Sequence, residues 1–132
     1  MELSDLLNET SSCEVKYKNY QFNCNVFTEK LTPTYKAKLI ALATSNEELI
    51  GENETDVPDE VKDDNARMLS DLIQSWVDEK GEPIVLKGER FDPTYENWLN
   101  LSYGMMASFI KQITEHLRDM ANPPSEPASP NS

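Results

Sequence analysis

The stretch 13–27, CEVKYKNYQFNCNVF, constrains the fold more than any other part of the chain. Cys13, Val15 and Tyr17 alternate with Glu14 and Lys16, which is the period of a half-buried strand. Across Lys18-Asn19 the phase switches, and Tyr20, Phe22, Cys24 and Val26 alternate with Gln21, Asn23 and Asn25. A two-residue turn at Lys18-Asn19 pairs 17 with 20, 15 with 22 and 13 with 24, so Cys13, Val15, Tyr17, Tyr20, Phe22 and Cys24 share one face. A slip of one residue destroys that match. The turn lacks glycine, and Asn19 is its residue that tolerates a positive φ. A four-residue loop centred there keeps the same register.

The rest of the chain reads mostly as helix. Leu3, Leu6 and Leu7 share one face of a short helix over residues 1–10. Thr32-Pro33 supplies an N-cap and a first-turn proline, opening a helix to about Thr44 with Tyr35, Leu39 and Leu42 facing inward. An acidic loop is expected near 45–57. A second helix is predicted from Pro58 through Val77, with Val61, Met68, Leu69, Leu72, Ile73, Trp76 and Val77 at helical spacing and Gly81 as its stop. Pro83–Leu86 is a short strand and Lys87-Gly88 a turn. Asp92 and Pro93 repeat the cap-and-proline device, predicting one helix to about Met120, with Gly104 as a weak point or close contact. Residues 122–132, ANPPSEPASPNS without its first alanine, form a Pro/Ser-rich tail expected to be disordered. The expectation is an α+β fold: an N-terminal antiparallel β-hairpin plus a short strand, packed with three main α-helices in a single domain over 1–121.

Charge narrows the partners. The 132 residues carry a formal net charge of −12. Nine acids against the single base Lys62 lie between 46 and 64. Direct nucleic-acid binding needs clustered Lys and Arg, so it is not expected, and a basic partner or plain solubility fits better. The N-terminus carries acids and no basic segment of a secretory signal, and the longest apolar run, Leu39–Ala43, is too short for a bilayer. A soluble, cytoplasmic protein with no membrane contact is expected.

Chemical motifs are sparse. His116, the single histidine, sits in the polar arc of the last helix, favoured there by the helix dipole, with no nucleophile or orienting carboxylate in view. Cys13 and Cys24 oppose one another in the inferred register. They read as a cross-strand disulfide or metal half-site, or, preferred in a reducing compartment, as small buried thiols. The spacing of ENETDVPDE does not match a calcium loop, and the two N-x-T matches at Asn8 and Asn53 read as chance. Phosphate-binding glycine loops and hydrolase or kinase signatures are not found. The reading is therefore non-enzymatic, with no cofactor and no metal.

Apolar surface remains as the candidate site. Met106, Phe109, Ile110, Ile113, Leu117 and Met120 make one stripe of the last helix and seat it on the hairpin and second helix. Trp98, Leu101 and Met105 lie on another side. Trp and Met usually mean core. A second stripe on one helix nevertheless makes Trp98, Leu101 and Met105 the candidate partner-binding residues, for a second copy of the chain or another protein.

The order of elements carries a resemblance. It runs from the hairpin CEVKYKNYQFNCNVF through the TPTYKAKL helix and a polar insert to LIQSWVDEKGEPIVL, a long helix and a Ser/Pro tail. Over roughly 12–125 this resembles the tail assembly chaperones of long-tailed bacteriophages, in which a Trp, an acidic turn, Gly-x-Pro and an aliphatic strand precede the C-terminal helix. The acidic insert at 46–64 has no counterpart in that pattern. The resemblance implies a non-enzymatic protein of the host cytoplasm that binds the tape measure protein while tail tube protein assembles round it. The alternative is an acidic protein-binding regulator, or an inhibitor that mimics nucleic acid.

Overall fold

The computed structural model describes residues 10–28, 32–49 and 56–121. The expected helix at 1–10 lies outside them except for Thr10, as do the tail 122–132 and the centre of the acidic stretch. The fold is α+β: a three-stranded antiparallel sheet, a two-stranded ribbon and four helices among the described residues.

Strands β1 (Thr10–Tyr17) and β2 (Tyr20–Phe27) form the predicted hairpin in the predicted register, with Tyr17 opposite Tyr20, Val15 opposite Phe22 and Cys13 opposite Cys24. Alternation set this register because only one pairing gathers the apolar side chains. Cys13, Val15, Phe22, Cys24 and Val26 are buried. Two details differ from expectation. The left-handed residue of the turn is Lys18 (φ 56°), and Asn19 is not positive. Tyr20, at the end of the ladder, is 68% exposed.

Helix α1 (Pro33–Leu49) starts as predicted, with the Thr32 hydroxyl accepting from the Tyr35 N–H at 3.1 Å. It runs past Thr44, so 45–49 are helix and not loop. The extension is held by Asn46, which is buried and hydrogen-bonded to helix α2 (Asp59–Leu72).

The predicted second helix is half strand. Helix α2 ends at Leu72, where the Ile73 N–H closes on the Leu69 carbonyl, and β3 (Ile73–Asp78) takes over. Trp76, expected to close a helix, sits opposite Cys24 in the sheet. The spacing of Leu69, Leu72, Ile73 and Trp76 suits a helix, but Ile73 and Trp76 bury equally well in a bulged strand. Strand β3 satisfies the open backbone edge of β2, a long-range demand that periodicity cannot register. A bulge at Asn25/Val26 reconciles the two strands. The Asp78 carboxylate then accepts from the Lys80 and Glu82 amides (2.8 and 2.9 Å), and Gly81 takes φ 81° to turn the chain. Strands β4 (Val85–Leu86) and β5 (Glu89–Arg90) make the ribbon, joined at Lys87-Gly88 with φ 53° and 83°, the signature of a type I′ turn.

The long last helix is two. Thr94, not Asp92, caps the short α3 (Tyr95–Leu99), accepting from the Asn97 N–H. The chain breaks at 100–102 and restarts as α4 (Tyr103–Ala121), where the Ser102 hydroxyl accepts the Met105 N–H at 3.1 Å. That break turns Trp98 into the core. Phe22, Trp76, Trp98 and Phe109 pack there with ring centroids 5.1 to 5.9 Å apart, mostly edge to face. The Trp76 indole N–H donates to the Phe91 carbonyl at 2.7 Å.

Helix α4 also clasps the sheet edge. The Gln112 side chain accepts from the Lys16 N–H (2.9 Å) and donates to the Lys16 carbonyl (2.7 Å), standing in for a neighbouring strand. His116 lies 2.9 Å from the Ser11 hydroxyl, so it is a half-buried strut and not a surface histidine.

Candidate partner-binding groove

Trp98, Leu101 and Met105 do not form one outward stripe. Trp98 is fully buried, while Leu101 and Met105 are half-buried against the same core. The break between α3 and α4 changes the rotation of the chain, so a wheel drawn through 92–120 misplaces everything before it. Trp98 therefore cannot face a partner.

A concavity open to solvent lies between α1 and α2. Helix α1 packs chiefly on α4, α2 packs on α3 and α4, and the two touch each other little. They are tied at one end only. The Asn46 and Asn65 side-chain amides bond reciprocally (2.7 and 3.2 Å), Asn65 donates to the Val61 carbonyl, and the Tyr103 hydroxyl donates to Asn46 at 2.8 Å. Nothing in the sequence reading singled out this buried knot. Its only signal was an Asn on the inner face of each helix, where an unpartnered amide is costly.

From that knot the helices diverge. Tyr35, Lys38, Ala41, Leu42 and Ser45 line one wall and Asp64, Arg67, Met68 and Asp71 the other, round a space of about 570 Å3. Leu42 and Met68 make the apolar floor and are half-buried on the core. The rim is polar. Arg67 is fixed by a 2.7 Å bond to Asp63 and lies over the Tyr95 ring at 4.8 Å. Tyr95 also donates to Asp63, and that bond first, with Arg67 second, pulls the Asp63 carboxyl below its ordinary range. Asp64 and Asp71 are exposed on the rim. The Tyr35 hydroxyl is buried without a hydrogen-bond partner among the described residues. Burial, then the Asp71 carboxylate, push its pKa up to about 12.

The groups with reactive side chains are placed elsewhere. Cys13 and Cys24 are free thiols, buried side by side. Desolvation first, then Glu14 for Cys13 and Cys13 for Cys24, raise their pKa values to about 11 and about 12. A thiol so protonated is a poor nucleophile. Among the described residues no group of three His, Cys, Asp or Glu side chains is placed to hold a metal, and no helix is long and apolar enough to cross a membrane. Neither protein-family models nor curated proteins nor solved structures match this chain.

Proposed function

We propose that the chain is a non-catalytic binding protein that holds a helical segment of another polypeptide in the α1–α2 groove. We propose further that it serves as a phage tail assembly chaperone whose partner is the tape measure protein. The observation that carries the binding reading is the groove itself: an apolar floor of Leu42 and Met68 under a polar rim on which Lys38 and Arg67 stand with Asp64 and Asp71. A helix with an apolar stripe complements the floor, and Lys or Arg beside that stripe pairs with Asp64 and Asp71. The element order behind the chaperone resemblance adds support, with three departures: the acidic insert has no counterpart, Trp76 lies in a strand instead of closing a helix, and the long last helix is broken at 100–102. Long helical proteins with exposed apolar stripes need shielding before assembly, which suits a small acidic partner.

The test is co-purification and titration with tape measure segments, using Asp64→Lys with Asp71→Lys. Both positions are exposed, so the variant keeps its fold. Binding should weaken by at least about tenfold, and more at low salt. Unchanged capture by the double variant would place the partner elsewhere, and no capture by the native chain would remove the chaperone reading.

One finding favours the second reading, an acidic inhibitor that mimics nucleic acid. The sequence placed the acids of 45–57 in a loop, but Glu47 and Glu48 stand on α1, and Asp59, Glu60, Asp63 and Asp64 lie on α2 as expected. Carboxylates on rigid helices are what such mimicry requires. Competition by DNA for the partner would select this reading over the first.

A further inference from the structure

Helix α1 is unlike the other long helices. Its apolar residues run all round its circumference, while only Leu39 and Asn46 are buried. A helix of that composition is normally covered on more than one side. Its outer face carries Ala37, Ile40, Ala41 and Thr44, all exposed, with Ile40 at 49%. We infer that a second copy of this chain covers that face, with the two α1 helices packed antiparallel about a two-fold axis between Ala41 and Leu42.

The charges on α1 argue for a copy of itself. In an antiparallel two-fold pair, one flank of a helix meets the same flank of its mate with the direction reversed. Lys36 and Glu47 lie on one flank, eleven residues apart and thus three turns along the helix. The two-fold brings Lys36 of each copy opposite Glu47 of the other, twice over. On the opposite flank it sets Lys38 against Ser45, so no like charges meet. The parallel arrangement would instead stack Lys36 on Lys36 and Glu47 on Glu47. The same two-fold puts Ile40 of one copy over Ala43 of the other.

This pairing borders the α1–α2 groove at Lys38, Ala41 and Ser45, but its test reads self-association and not partner capture, so each can fail without the other. The test is sedimentation of the full chain across concentration at low salt, with circular dichroism to confirm folding. The native chain should show a monomer–dimer equilibrium, and Ile40→Asp should raise the dissociation constant by more than about tenfold. Lys36→Glu should raise it roughly fivefold by setting like charges face to face, and adding Glu47→Lys should restore it. A native chain that stays monomeric at millimolar concentration overturns the inference. So does a Lys36→Glu effect that the second exchange fails to reverse, since rescue is what only the antiparallel pairing provides.

Discussion

The two sides of α4 are built on opposite plans. Toward the sheet and α3 it meets Phe22, Trp76 and Trp98 through Phe109, a dry aromatic cluster in which every ring touches at least two others. Toward α1 and α2 it meets Leu39, a buried Asn pair and a small cluster in which Tyr103 and Ala107 pack with Val57, Leu49 and Val61. Dispersion and burial scale with enclosed apolar surface, so the first side supplies most of the stability. The second side supplies geometry: the reciprocal amides fix where α1 and α2 meet, and therefore how far apart they stand at the groove. A working surface set on the lightly packed side can adapt to a partner without straining the core.

The sharpest break of this comparison is Phe109→Ala, which should cost about 3–5 kcal/mol in urea denaturation. Leu42→Ala on α1, half-buried, should cost less than half as much. Equal losses would erase the distinction. Next in size is Asn65→Ala, which removes the acceptor of the Asn46 side-chain N–H and should cost about 2 kcal/mol. A double-mutant cycle with Asn46→Ala should show clear coupling, and additive losses would mean that the knot fixes nothing.

Titration probes both sides at once. Folded Cys13 and Cys24 have raised pKa values, so the folded state holds protons that the unfolded state releases. Their stabilising contribution is whole below the ordinary thiol pKa of 9.0 and declines as pH rises toward about 11 to 12. Cys24→Ala should flatten that decline, measured by thermal unfolding from pH 8 to 11. Asp63 has the opposite sign. Its pKa is depressed, so its contribution is present above the ordinary carboxylate range and fades as pH falls through the folded value. Tyr95→Phe should shrink that acid-side loss. The smallest effect belongs to Tyr20→Ser at the exposed hairpin tip, within about 0.5 kcal/mol of the native chain.

The hairpin was legible to the residue because its register follows from alternation on one chain segment. Thr32 was legible as a cap for the same local reason. Ile73–Asp78 was not, since its apolar spacing serves helix and strand alike and the choice was made by the free edge of β2. The break at 100–102 had a local signal, Ser102 capping a new helix, but a continuous apolar stripe through Trp98 and Met105 masked it. The groove was invisible for a different reason. It arises where two helices fail to close on one another, and no residue type announces a space. The buried Asn46 fell inside a run of acids whose composition argued for solvent.

Native-state hydrogen exchange tests the division between the two sides most directly. Amides of Leu39–Ala43 in α1 should exchange through an opening well below the free energy of global unfolding, while those of Phe109–Ile113 in α4 should exchange only with the whole protein. Equal protection in the two segments, both at the global value, would contradict it.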